Sequence, residues 1–329
     1  MRKLLVLVLT LVMAIGLVAC GNSAASNGNG DSQQTVPEKE NMTITTLNGS
    51  KEEVELEVPY NPERIAVLDL AALDIIDNLG MGSRVVGSAD TSIDYLASYA
   101  DNKEIANLGT IKEVNLEAVM ACEPDIIFIG GRLSASYDAL SEIAPVVYLA
   151  TDTNIGLVES VKKNATTIAA IFGLEAQVEE KTAAYQTRID ALAKAAEGKT
   201  ALVGMTTSGS FNLLGNNGRC SIIGVEIGFN NLTASSASTT SSHGNESSFE
   251  TVVSQNPDYV FVMDRDSAIG TEGAQIAKEI MENELIKTTT AYQNGNMVYL
   301  ENPEVWYTAE GGITALDTML KDLEKALIN

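Results

Sequence analysis

The stretch EAVMACEPDIIFIGGR, residues 117–132, and the stretch ETVVSQNPDYVFVMDR, residues 250–265, share one spacing: Glu, Pro-Asp, Phe and Arg fall at the same offsets. Each copy reads as a short helix, a Pro-Asp break through which a helix does not continue, a strand, and an arginine where that strand ends. Both strands are apolar at nearly every position, so both faces must be covered, as in parallel sheets flanked by helices. Two such units on opposite sides of the middle of the chain predict two lobes of related design that face one another.

The rest of the body follows the same grammar. Residues 65–68, 125–129, 146–149, 201–205, 259–263 and 297–300 read as buried strands, and 70–79, 116–122 and 313–328 as helices. This alternation predicts an α/β fold of two lobes with mainly parallel sheets, an N-terminal lobe over 41–155 and a C-terminal lobe over 199–329. Between them, residues 156–198 lack proline and are dominated by Ala, Glu, Lys, Gln and Thr. They read as helix divided near Gly173 and ending before Gly198. An unbroken helix over 174–197 would be roughly 36 Å long at about 1.5 Å per residue, which suits one long spine joining the lobes.

The 329 residues are 45% hydrophobic, enough for packed cores and against a mostly disordered chain. Acidic residues outnumber basic ones 44 to 21, for a formal charge of −23. A nucleic-acid binder needs a basic face, so nucleic acid is excluded as a partner. One histidine and three cysteines are too few for an all-protein zinc site of the usual kind, or for catalysis by several histidines. Cys122 and Cys220 fall in different lobes and read as two buried or free thiols rather than a disulfide.

Met1-Arg2-Lys3 precedes an apolar run from Leu4 to Val18, and Ala19-Cys20-Gly21 ends it. The pattern is that of a secretory signal, and the run is shorter than the ~20 residues of a spanning helix. Leu17-Val18-Ala19-Cys20 further resembles a bacterial lipobox, which makes residues 1–20 a lipoprotein signal peptide with Cys20 as the lipidated residue. Residues 21–40 are rich in Gly, Asn, Ser and Gln and read as a flexible tether. The expectation is a domain held outside a membrane by a lipid anchor.

Beyond Cys20 there are only six arginines. Arg132 and Arg265 end the repeated strands, and Arg219 lies in the turn-like Asn216-Asn217-Gly218-Arg219. In open α/β sheets, ligands bind beyond the carboxyl ends of the strands. Isolated surface ion pairs worth about 0–1 kcal/mol are the plain reading of these arginines. The functional reading is electrostatic. So acidic a chain repels anions, so an anionic ligand requires a concentrated positive site, and guanidinium forks suit oxygen anions. His243 lies in an exposed-looking loop, and Trp306 and Tyr307 follow the last strand; none identifies a site alone. Glu117 and Glu250 suit the first turns of their helices, and Ser247 to Glu250 fits a capping box. Helix chemistry does not explain their matched placement in both lobes.

Pro62-Glu63-Arg64-Ile65-Ala66-Val67, the stretch from Asn256 to Arg265, and Glu304-Val305-Trp306-Tyr307 resemble ferric-siderophore-binding lipoproteins of the CeuE, FatB and YclQ type. These are substrate-binding components of iron-uptake ABC transporters, and the likeness runs from about Met42 to the C-terminus. It implies two Rossmann-like lobes joined by a single long helix and a shallow cleft between them, in which Arg132, Arg219 and Arg265 surround an anionic ferric catecholate with Trp306 beside them. It also implies that His243 and Tyr307 stand next to the iron, closing two positions left open by a four-oxygen catecholate pair. Glu117 and Glu250 resemble the residues that dock on the membrane permease. The implied protein is a monomer without intrinsic cofactor, and ferric ion is its cargo as a siderophore complex. Haem, cobalamin or ferric citrate are alternative cargoes for such a scaffold. An enzyme is disfavoured, for the chain has neither a Walker-type loop nor a Gly-x-Ser-x-Gly elbow.

Overall fold

The computed structural model describes residues 40–234 and 244–328. The first sheet has the order β5-β4-β3-β6-β7 and is parallel throughout. It is built from β3 (Ile65–Val67), β4 (Val85–Ser88), β5 (Ala106–Asn107), β6 (Ile126–Ile129) and β7 (Val146–Tyr148). An antiparallel hairpin, β1 (Asn41–Leu47) and β2 (Glu53–Pro59), precedes it. The second sheet has the order β11-β9-β8-β12-β13, with β10 also pairing β8. Its strands are β8 (Thr200–Thr207), β9 (Ser210–Leu213), β10 (Asn230–Asn231), β11 (Asn245–Ser247), β12 (Tyr259–Asp264) and β13 (Met297–Tyr299). Here β10, β8, β12 and β13 run parallel, while β9 and β11 are antiparallel additions.

The repeat builds equivalent parts of both sheets. Phe128 on β6 lies between Val67 and Val147, and Phe261 on β12 lies between Val203 and Val298. Asn115 and Ser248 cap the helices Leu116–Ala121 and Phe249–Gln255 through the N–H groups of Ala118 and Thr251. Each helix then ends in a residue with positive φ, Glu123 at 43° and Asn256 at 40°, just before the proline. The following aspartates tie each strand to its neighbour. Asp125 accepts from the N–H groups of Glu63 and Arg64 at 2.9 and 3.0 Å. Asp258 accepts from the Thr200 N–H and hydroxyl at 2.8 and 2.9 Å. The Pro-Asp step therefore stops a helix and registers a strand. The cap register differs by one residue from the expected box: Ser248, not Ser247, is the N-cap, because its hydroxyl is the one that reaches Thr251.

Side chains alternate between cores, as strands covered on both faces require. Ile127 and Ile129 enter a cluster confined to the first lobe, and Val260 and Val262 one confined to the second. Ile126, Phe128, Phe261 and Met263 enter a third cluster shared by both lobes and by the helices between them.

The helical segment divides at Gly173 as expected, after Leu157–Phe172, but the spine expected over 174–197 is two helices, Glu175–Thr182 and Tyr185–Ala196. Gly173, with φ 67°, ends the first. The break at 183–184 has a local cause. The buried Thr182 hydroxyl donates to the Val178 carbonyl at 2.8 Å, a back-bond that bends helices. Tyr185, just beyond, donates its hydroxyl to the Ile313 carbonyl at 2.8 Å.

The lobes are also fastened through the C-terminal helix Ile313–Leu327. Asp74, fully buried on the helix Leu70–Asn78, accepts from the N–H groups of Thr314 and Ala315 at 2.9 and 2.8 Å. The Tyr95 hydroxyl donates to the same carboxylate at 2.7 Å. A Cβ at Gly312 would collide with it, so glycine is required at that approach. Arg188, on the helix Tyr185–Ala196, pairs with Asp317 and Glu324 of the same C-terminal helix, each at 2.6 Å.

Candidate functional site

Two strand ends and one loop converge on Tyr307. Arg132 follows β6 in a 3-10 turn, Gly131–Ser136, and Arg265 opens the short helix Arg265–Ala268 directly after β12. Arg219 lies in the loop before the helix Ser221–Gly224, and Tyr307 in the helix Pro303–Thr308 after β13. The guanidinium carbons of Arg132, Arg219 and Arg265 stand 5.4, 4.4 and 5.6 Å from the Tyr307 ring centroid. Cation–π attraction contributes here, at about 0.5–2 kcal/mol per contact.

Hydrogen bonds hold the cluster. The Tyr307 carbonyl accepts from Arg132 Nη2 at 2.9 Å and from Arg219 Nε at 3.4 Å. Arg265 Nε donates to the Tyr307 hydroxyl at 3.2 Å, and its Nη1 to Thr207 Oγ1 and to Asp266 Oδ1 at 3.2 and 3.1 Å. Burial and the neighbouring Arg219 hold the Arg132 guanidinium below its usual range. Burial pushes the Tyr307 phenol up, but the Arg265 hydrogen bond and the three positive charges outweigh it and bring the phenol below the ordinary tyrosine value.

The other three arginines serve structure. Arg64 donates to the carbonyls of Glu123 and Cys122, Arg84 to those of Asn61 and Pro62, and Arg188 makes the two ion pairs above. The plain ion-pair reading thus fits Arg188, whereas Arg132, Arg219 and Arg265 gather from both lobes.

Two cavities flank Tyr307 and share it with Thr308. One, of about 170 Å³, is lined by Asp69, Arg132, Thr151, Asn164, Arg219 and Glu310 among others. The other, of about 340 Å³, lies between loops carrying Asp90, Thr91 and Lys112 in the first lobe and Ala268 and Ile269 in the second. Asp69, Glu310 and Lys112 line these cavities without having been singled out from the sequence. Asp69 caps the helix Leu70–Asn78 through the Ala72 N–H at 2.9 Å. Its carboxyl is pushed up by burial, with Arg132 opposing.

The remaining expected site residues fall as follows. Trp306 does not line the cleft. Its side chain is 0% exposed, and its indole N–H donates to Asp322 at 2.9 Å, so it anchors the Pro303–Thr308 helix to the C-terminal helix. The neighbouring position in a helix points elsewhere, which separates Trp306 from Tyr307. Tyr307 is itself only 3% exposed beneath the arginines. His243 and Cys20 lie outside the described residues. Glu117 and Glu250 are exposed, each in the first turn of its repeat helix. The Glu250 carboxyl is held low by its own N–H and by the Ser248 hydroxyl. Cys122 and Cys220 are buried free thiols. Among the described residues, no group of acidic, His and Cys side chains could hold a metal ion, and no helix is long and apolar enough to cross a membrane.

A family model described as "Periplasmic binding protein" matches residues 65–304. The petrobactin-binding protein YclQ of Bacillus subtilis is 34% identical over 99% of both chains, and the ferric-anguibactin-binding protein FatB of Vibrio anguillarum is 27% identical over 82% of this chain and 83% of its own. The crystal structure of YclQ superposes with a TM-score of 0.80 at 33% identity, covering 88% of this chain and all of that one. The periplasmic catecholate-siderophore-binding protein VctP of Vibrio cholerae does so with 0.77 at 30%, covering 86% and 100%. The fold, the cleft and these likenesses agree, and the chain belongs to the periplasmic binding protein family, whose members are binding components of transport rather than enzymes.

Proposed function

We propose that this chain captures a ferric siderophore, of catecholate type, in the cleft between its lobes and delivers it to the permease of an ABC importer. The observation that carries the reading is the gathering of three guanidinium groups from two lobes around one tyrosine, in a chain of net charge −23. Among the described residues, the other three arginines are engaged elsewhere, Arg64 and Arg84 on backbone carbonyls and Arg188 on two carboxylates. Each charge-assisted contact contributes about 1.5–3 kcal/mol, so a ligand with about three negative charges suits the site. Relatives named for petrobactin, ferric anguibactin and catecholate siderophores support the class of cargo.

Ferric ion enters as part of the cargo. Where the siderophore leaves coordination positions open, Tyr307 and His243 supply a phenolate and an imidazole. The lowered phenol of Tyr307 favours that role, and Arg265 must first release its hydroxyl. Cys20 carries the lipid anchor that keeps the domain on the outer face of the cell membrane, and Glu117 and Glu250, one per lobe, dock on the permease.

Fluorescence titration tests the cargo. Trp306 is the sole tryptophan and adjoins Tyr307 in sequence, close enough for an iron chromophore in the cleft to quench it by energy transfer. Ferric catecholates are expected to quench it at lower concentration than haem, cobalamin or ferric citrate; the opposite order overturns the choice. For docking, the double variant Glu117→Ala/Glu250→Ala is expected to lose uptake by cells while its soluble form keeps its ligand affinity. Uptake at the wild-type rate would remove both glutamates from the docking role.

A further inference from the structure

We propose that Glu310 positions Arg219 in the cleft and takes up a proton when a polyanionic ligand binds there; the proposal rests on the reading of the cleft as an anion site. Glu310 stands three residues after Tyr307 and walls the smaller cavity together with Arg132 and Arg219. Its Oε1 accepts the N–H of Cys220 at 2.9 Å. Cys220 is the residue after Arg219 and holds φ at 61°, a conformation that side-chain-bearing residues adopt rarely and only when held. The carboxylate thus fixes the peptide that carries Arg219. A backbone N–H needs an acceptor there, and a glutamine amide oxygen would serve as well as a carboxylate.

The charge of Glu310 is a separate matter. The guanidinium groups of Arg219 and Arg132 face it and favour the ionised form. Glu226 faces it and opposes ionisation. Glu226 itself is spoken for: its Oε1 accepts from the N–H groups of Leu157 and Val158, at the start of the helix Leu157–Phe172. Its buried Oε2 has no hydrogen-bond partner among the described residues. The buried Cys220 thiol is kept neutral by burial, and so adds no charge. Burial is the largest influence and pushes Glu310 up to about 7. A polyanion laid on Arg132 and Arg219 both engages the two groups that favour the carboxylate and brings further negative charge beside it. Both effects raise Glu310 further, so a proton passes from the buffer to its carboxylate as the ligand seats. Affinity is then highest below about pH 7 and falls as pH rises, with a slope no steeper than about tenfold per unit.

Isothermal titration calorimetry of the soluble chain tests this, with a hexadentate ferric tris-catecholate trianion as probe and two buffers of different ionisation heat. The wild type is expected to take up roughly half a proton per ligand near pH 7 and to lose about three- to tenfold in affinity between pH 6 and 8. Glu310→Gln keeps the acceptor for Cys220 but cannot titrate, so its proton uptake should vanish and its pH profile flatten. Glu310→Ala loses the acceptor and should bind more weakly at every pH, with affinity restored by the glutamine. Tyr307 keeps its phenol in all three proteins, so differences among them report on Glu310. Equal proton uptake by wild type and Glu310→Gln, or none by the wild type, overturns the proton role; equal affinity of Glu310→Ala and Glu310→Gln overturns the positioning role. A wild type that does not bind the trianion at all overturns the anion-site reading, and this inference with it.

Discussion

The seam behind the cleft and the cleft itself handle charge in opposite ways. At the seam, every strong charge has its complement. Asp74 sits on the N–H groups that open the C-terminal helix, and Arg188 lies between Asp317 and Glu324. At the cleft, three guanidinium groups crowd one phenol, with the carboxylates of Asp266, Asp69 and Glu310 around them. Like charges brought together cost stability, which a folded chain accepts where a ligand of opposite charge completes the set. On the proposed function, the difference separates arginines that hold the fold from arginines that hold cargo.

The comparison is sharpest at Asp74. Asp74→Ala leaves two helix N–H groups and the Tyr95 hydroxyl without an acceptor in a dry seam, and is expected to cost about 3 kcal/mol or more in urea denaturation. A loss below about 1 kcal/mol would mean the seam does not fasten the lobes. Next comes the cleft. Arg219→Ala is expected to weaken binding of a ferric catecholate about tenfold or more, at about 1.4 kcal/mol per decade, with stability unchanged to within about 0.5 kcal/mol. Arg188→Ala should do the reverse, lowering stability by about 1–2 kcal/mol while affinity stays put. An exchange of these two outcomes would break the distinction between seam and cleft.

The smallest effect is spectroscopic. Tyr307 should ionise before the ordinary tyrosine value near 10, whereas burial raises Tyr95, Tyr99, Tyr185 and Tyr299. Because the folded chain releases this proton before the unfolded chain does, the group adds stability as pH rises through that window. Ultraviolet titration should show one early phenolate, absent in Tyr307→Phe and moved to higher pH in Arg219→Ala. An early phenolate that persists in Tyr307→Phe belongs to another residue.

What was legible in the sequence had a physical signature of its own. The strands at 126–129 and 259–264 are buried on both faces, and the Pro-Asp steps before them carry repeated spacing, so the two sheets and the two arginines that end those strands could be read directly, whereas Arg219 lies outside the repeat and is grouped with them through the family resemblance. The β1–β2 hairpin has one solvated face and alternates exposed with partly buried residues, a weaker signal that the search for wholly apolar runs passes over. The break at 183–184 depends on where the Thr182 hydroxyl and Tyr185 find partners, which composition does not encode. Asp69 and Glu310 are two carboxylates among 44 acidic residues, and only their placement against Arg132 and Cys220 distinguishes them. Trp306 shows the opposite failure. Adjacency to Tyr307 placed it in the site, but helical geometry turns it into the core.

The charge of the cleft is measured most directly by one paired titration. A hexadentate ferric tris-catecholate, a trianion, and a hexadentate ferric trihydroxamate, which is neutral, are each titrated into the wild-type protein in the same buffer. The cleft described here predicts binding of the trianion at least about a hundredfold tighter, equivalent to ~2.7 kcal/mol, with most of that margin lost in the Arg132→Ala/Arg219→Ala/Arg265→Ala variant. Equal affinity for the two complexes, or a margin untouched by removal of the three arginines, would contradict it.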